Sequence, residues 1–126
     1  MRKIPSGNYQ IGQGRNQTYD TSYGWCVKYL YCTGAGQGIQ FVNTQRITSP
    51  NYCSFALTHC GNGYFTLKSN PCNAFLDKDL KFNAYNGIDD SAKFKFEICP
   101  EGGVKVRAKA NGALLSTIPL YFDRIY

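Results

Sequence analysis

Few residues in this chain have the chemistry for catalysis. His59 is the only histidine among 126 residues, and it stands beside Cys60. A Cys–His dyad needs both side chains to converge on one point. Neighbours along a strand point to opposite faces, so His59 is read as a strand-end or surface histidine. Asp77 and Asp79 would share a face of a continuing strand, and paired carboxylates can hydrolyse glycosides or bind calcium. Asp89 and Asp90 follow Asn86-Gly87, a strong hairpin-turn signal, and no calcium-loop spacing accompanies either pair. Both pairs are read as turn chemistry. The chain is therefore expected to be a binding protein and not an enzyme, with no metal site and no cofactor.

The largest set of functional candidates is basic. Phe94, Phe96 and Ile98 alternate with Lys93, Lys95 and Glu97, and Val104, Val106 and Ala108 alternate with Lys105, Arg107 and Lys109. Period two is the signature of a half-buried strand. A CPEGG turn between the runs makes a hairpin that sends Phe94, Phe96, Ile98, Val104, Val106 and Ala108 inward. Lys93, Lys95, Glu97, Lys105, Arg107 and Lys109 then share the outer face. The expected register sets Glu97 opposite Lys105, Lys95 opposite Arg107, and Lys93 opposite Lys109. Directly opposed like charges destabilise a sheet, and a bound polyanion would relieve them. The same cations would also guard against edge-to-edge aggregation. Over the whole chain Lys and Arg outnumber Asp and Glu by 14 to 8, with a net charge of +6. That balance favours polyanionic partners.

Aromatic residues supply a second set. Tyr19, Tyr23 and Trp25 fall in and beside a polar stretch, residues 13–24, where alternation is weakest. Aromatics on an irregular loop above a rigid scaffold can stack on sugars or bases. They are candidates for specificity beside the basic face.

The six cysteines, Cys26, Cys32, Cys53, Cys60, Cys72 and Cys99, contain no C-x-x-C pair, which removes zinc-ribbon and thioredoxin-like readings. An even count in a short Gly-, Asn- and Tyr-rich chain predicts disulfides formed in an oxidising compartment. Residues 27–31 and 54–59 read as extended, so Cys26–Cys32 and Cys53–Cys60 would each span roughly 20 Å. A disulfide needs Cα atoms within about 7 Å, and neither link is expected. The opening MRKIPSGNYQ is basic but lacks the apolar stretch of a secretory leader. Met1 then begins either a mature secreted chain or a cytosolic one, and the cysteines favour secretion. Asn16-Gln17-Thr18 is a glycosylation sequon. No run has transmembrane length.

Gly-, Asn-, Pro- and Asp-rich clusters separate about a dozen short alternating runs, which predicts an all-β sandwich or barrel. A repeat sharpens this. Phe55-x-Leu57 and the following GYFTLK match Phe96-x-Ile98 and the following GGVKVR, with a shorter gap and an offset of about 40. Each copy runs on into an apolar stretch, Ala74-Phe75-Leu76 or Ala113-Leu114-Leu115, and counting back reaches Asn8-Tyr9-Gln10-Ile11-Gly12. Three units, 7–52, 53–92 and 93–126, fill one domain of residues 1–126.

At this point the chain resembles the β-trefoil superfamily, whose plan is three such units of four strands. Tyr31-Cys32 with GIQF (38–41), GYFTLK (63–68), NAFL (73–76) and KFKFE (93–97) is similar to fibroblast-growth-factor-type trefoils. FEI (96–98), GVKVR (103–107) and NGALLS (111–116) resemble a fascin-type repeat. IPSGNYQI (4–11) is similar to the opening of ricin-B-type lectins, but their Gln-x-Trp signature is missing, and Trp25 is the only tryptophan. The resemblance implies a β-trefoil of about twelve strands with pseudo-threefold repeats, here stapled by disulfides. It does not fix a function. A lectin-like secreted protein recognising glycans, acidic ones included, is the leading expectation. A secreted ligand for a protein receptor, a protease inhibitor and an intracellular actin binder are the alternatives, the last disfavoured by the cysteines. Nucleic acid is not an expected partner.

Overall fold

The computed structural model describes residues 4–13, 18–20, 24–26, 28–43, 50–83 and 89–125. The strands are β1 (Gly7–Gln13), β2 (Thr18–Asp20), β3 (Gly24–Cys26), β4 (Lys28–Tyr31), β5 (Gln40–Asn43), β6 (Phe55–Gly61), β7 (Tyr64–Ser69), β8 (Ala74–Leu76), β9 (Phe82–Asn83), β10 (Phe94–Ile98), β11 (Val104–Ala108) and β12 (Leu120–Arg124). Among the described residues the helical elements are two single 3-10 turns, Pro50–Cys53 and Asp90–Ala92. The protein is all-β.

Six strands close into a ring. β6 pairs with β7, β7 with β10, β10 with β11, β11 with β12, β12 with β1, and β1 again with β6, all antiparallel. Closure removes the free edges that an open sheet exposes. The strands close because their inward residues are large and apolar. Tyr9, Ile11, Phe55, Leu57, Phe65, Leu67, Phe94, Val106 and Leu120 belong to one buried cluster. Aromatic rings run through it: Phe65 stacks on Phe96 with centroids 4.2 Å apart, and Phe122 meets Phe96 and Tyr9 edge-on at 5.4 and 5.8 Å.

Two hairpins and a turn lie off the ring. β4–β5 joins it through Gly12↔Tyr29, and β8–β9 through Lys68↔Phe75 and Ser69↔Ala74. In the last third of the chain the equivalent is a single bridge, Arg107↔Leu114. The loops of these pieces meet: Ile39 N–H donates to the Leu80 carbonyl at 2.9 Å, Phe82 N–H to Gln37 at 2.8 Å, and the Asn111 amide to Lys78 at 3.0 Å. Phe82 stacks on Phe55 beneath them.

The repeat is tighter than the sequence pattern suggests. The pairs Phe55↔Ser69, Leu57↔Leu67 and His59↔Phe65 recur 39 positions later as Phe94↔Ala108, Phe96↔Val106 and Ile98↔Val104. Lys68↔Phe75 recurs as Arg107↔Leu114 at the same offset. The spacing between the last shared pairs is therefore the same, although β6–β7 adds Gly61↔Tyr64 beyond a bulge, and Leu57 corresponds to Phe96. Ile98 corresponds to His59 and lies near the open end of the barrel. It is 59% exposed, so its expected place in the core is corrected, and Val104 opposite it is only half-buried. The turn into the following piece needs a left-handed residue in both copies: Asn73 (φ 51°) in one and Gly112 (φ 72°) in the other.

The structure links no two of the described cysteines. Cys32, Cys53, Cys60, Cys72 and Cys99 are free thiols, and the side chain of Cys26 lies outside the described residues. Cys53 is buried beside β6, Cys60 is exposed at the β6–β7 loop, and Cys99 is buried at the β10–β11 turn.

Candidate functional site

The outer face of β10–β11 forms in the register read from the sequence. Lys95 faces Arg107 and Glu97 faces Lys105, and the Lys109 N–H donates to the Lys93 carbonyl at 2.9 Å, which extends the ladder by a pair. All five candidate cations therefore lie on one small surface.

Its electrostatics differ from the expected unrelieved repulsion. The Arg107 guanidinium reaches diagonally to Glu97 and holds both carboxylate oxygens, through Nε to Oε2 and through Nη2 to Oε1 at 3.1 Å. Its Nη1 donates to the Gly112 carbonyl at 2.8 Å. Such fork-to-fork contacts orient the planar guanidinium. Asp90 supplies a second anion that the strand pattern did not reveal. Its carboxylate lies 3.4 Å from the Lys93 ammonium and 3.1 Å from that of Lys109. Lys109 also sits over the Tyr64 ring, 4.7 Å from its centroid.

These contacts shift both carboxyls downward. Hydrogen bonding from Arg107 holds Glu97 below the ordinary range, and hydrogen bonds from Lys109 and Lys93 do the same for Asp90. Among the described residues Lys95 and Lys105 make no ion pair. They flank the Arg107–Glu97 pair, Lys95 exposed and Lys105 half-buried. The face thus has two unpaired ammonium groups beside one anchored guanidinium. Asp90 was legible only as part of an Asp-Asp turn. It sits three residues before Lys93, in a 3-10 turn capped by Asp89.

The other candidates fall elsewhere. Tyr19 and Trp25 are direct cross-strand partners in the β2–β3 ribbon, so part of the stretch expected to be irregular is paired, while Tyr23 lies outside the described residues. The sequon at Asn16 and the Asn86-Gly87 turn also lie outside them. His59 is an anchor. Its Nε2 donates to the Ile4 carbonyl at 2.5 Å, its backbone N–H to the Ser6 hydroxyl at 3.0 Å, and its ring meets Phe65 edge-on. Asp77 closes a turn by accepting from the Asp79 and Lys81 N–H groups at 2.9 and 3.1 Å. Among the described residues no three His, Cys, Asp or Glu side chains gather as a metal site. No helix there is long and apolar enough to cross a membrane.

No protein-family model matches the chain, and no curated protein matches it by sequence. Solved structures do resemble it. A GlcNAcα1-4Gal-releasing endo-β-galactosidase from Clostridium perfringens superposes with a TM-score of 0.66 at 14% identity, over 95% of this chain and 33% of that one. The designed threefold-symmetric protein ThreeFoil gives 0.62 at 16% identity, over 95% of this chain and 91% of its own. A mosquitocidal holotoxin gives 0.63 at 11% identity, over 98% of this chain and 16% of that one. The fold is a β-trefoil. The chain spans about a third of the galactosidase and about a sixth of the toxin, and at these identities the likeness is one of fold alone. Within the trefoil, β2–β3 is a separate two-stranded sheet, and the last repeat keeps only a bridge where the others carry a hairpin.

Proposed function

We propose that this trefoil is a non-enzymatic, lectin-like protein that acts outside the cell and holds an acidic glycan on the outer face of β10–β11. The observation that carries the reading is the pair Lys95 and Lys105, two cations without carboxylate partners among the described residues, on either side of an oriented Arg107. Ammonium groups already held by a carboxylate have less to offer a ligand, so Lys93 and Lys109, both at Asp90, play the smaller part. The fold likeness to an endo-β-galactosidase is compatible with a glycan partner. Tyr19, Tyr23 and Trp25 remain the candidates for ring stacking on sugar.

Binding of this kind is chiefly electrostatic and weakens steeply as the Debye length falls from about 10 Å at 0.1 M salt to about 3 Å at 1 M. The test is retention on immobilised heparin. The wild type is expected to elute well above physiological salt, Lys95→Ala/Lys105→Ala much earlier, and Lys93→Ala/Lys109→Ala in between. Elution of the wild type at low salt, or unchanged elution of the first double variant, would sink the proposal.

A further inference from the structure

One pair of thiols stands apart from the others. Cys32 follows β4, and Cys72 lies in the turn between β7 and β8, 40 residues away. The Cys72 thiol donates to the Cys32 carbonyl at 3.5 Å, and the Cys32 thiol donates to the Gly34 carbonyl at 3.4 Å. Ser69 completes the group. It is fully buried, and its hydroxyl accepts the Cys72 N–H at 3.4 Å. The corresponding core position 39 residues on is Ala108, which has no polar atom to satisfy. A serine here belongs with the two cysteines beside it.

Access is asymmetric. Cys32 is 1% exposed in the core cluster, whereas Cys72 is half-buried in a turn of Asn, Pro and Cys at the surface. Burial pushes the Cys32 thiol up from its ordinary pKa. A small-molecule disulfide therefore meets Cys72 first. The thiolate is the attacking species.

We infer that Cys32 and Cys72 form a disulfide by exchange with a small-molecule disulfide such as oxidised glutathione. The Cys72 thiolate attacks the reagent, breaks its S–S bond, and releases one glutathione thiolate. The Cys32 thiolate then attacks the Cys72 sulfur of the mixed disulfide and releases the second glutathione thiolate. The two protons lost by the cysteines are taken up by the released thiolates, and the reagent is the oxidant. The product ties the end of β4 to the entrance of β8, and so joins the off-ring hairpins of two repeats. Cys53 and Cys99 are buried, Cys53 next to Tyr52, whose carbonyl accepts the Cys32 N–H at 3.0 Å, and exposed Cys60 is expected to stop at a mixed disulfide.

The test is equilibration of the full chain in a reduced/oxidised glutathione buffer, followed by tryptic mapping without reduction and by thermal unfolding. Trypsin places Cys32 on residues 29–46 and Cys72 on residues 69–78. The expected result is a covalent link between these two peptides and an unfolding midpoint about 10 °C higher than in dithiothreitol. Cys72→Ser should fold, lack the link and lose the oxidant-dependent rise. Cys60→Ser should keep both. Recovery of Cys72 only as a glutathione adduct, or linked to any cysteine other than Cys32, would overturn the inference. So would failure of the two peptides to link at any ratio of oxidised to reduced glutathione.

Discussion

The hairpins β6–β7 and β10–β11 are two copies of one piece of architecture. Five pairs recur at the shared offset of 39, although only β6–β7 continues past a bulge to Gly61↔Tyr64. Their inner faces agree where the barrel is closed: Phe55, Leu57, Phe65 and Leu67 in one are matched by Phe94, Phe96, Val104 and Val106 in the other. Their outer faces do not agree. Where β10–β11 carries Lys93, Lys95, Glu97, Lys105, Arg107 and Lys109, the first copy has Ser54, Ala56, Thr58, Thr66, Lys68 and Asn70, with a single cation. That cation lies over the Phe75 ring, 5.8 Å from its centroid, and Thr66 is only 5% exposed. Closing the barrel constrains only the inward positions. The outer positions are free to diverge, and there the second copy has gathered charge.

The sharpest way to break this correspondence is a pair of truncations. If Leu57 matches Phe96, then Leu57→Ala opens a cavity in a closed core and should cost about 2–5 kcal/mol in urea unfolding. Ile98→Ala, at the position matching His59, should fall within about 0.5 kcal/mol of wild type. Equal costs would restore the alignment of Ile98 with Leu57. Gly103→Ala should come next, at about 1–3 kcal/mol. Gly103 has φ 72°, and a Cβ there would lie 3.0 Å from the Leu120 carbonyl oxygen. The matching residue, Tyr64, lacks this positive φ, so the cost at Gly103 combines its left-handed backbone with the close approach of β12. An unchanged midpoint for Gly103→Ala would show that the β11–β12 contact yields.

Acid should separate the two copies by a smaller margin. Asp90 and Glu97 are held below the ordinary carboxylate range in the folded protein. The stability they contribute is present above the unfolded pKa of about 4 and is lost as pH falls through the depressed folded values. Asp90→Asn/Glu97→Gln should therefore flatten the acid side of the stability profile below about pH 4. A profile that keeps its full slope would mean the ion pairs add nothing measurable, as exposed pairs often do. The smallest expected effect follows from the proposed binding face. Glu97→Gln releases Arg107 and removes one negative charge, so elution from heparin should move to slightly higher salt. Earlier elution would mean that the oriented guanidinium matters more than the freed charge.

Much of this was open to local reasoning. Alternation over 93–98 and 104–109 dictates which residues face out, because the side-chain period of a strand is two. The CPEGG turn sets which residue opposes which, so Lys95↔Arg107 and Glu97↔Lys105 follow from residues close together in the chain. The tight turns announce themselves as Asn and Gly. Tertiary structure decided the rest, because it depends on elements distant in sequence. Period two says that Ile98 points inward but not how far up the barrel it lies, and the open end leaves it in water. Opposed pairs could be counted, but the diagonal reach of Arg107 to Glu97 depends on Gly112 fixing the guanidinium from the next turn. Asp90 met Lys93 and Lys109 only once a 3-10 turn brought it under the hairpin end. Six cysteines suggested oxidation, yet composition carries no distances. The fold alone set Cys32 beside Cys72, because closing the ring brings the end of β4 against the turn after β7.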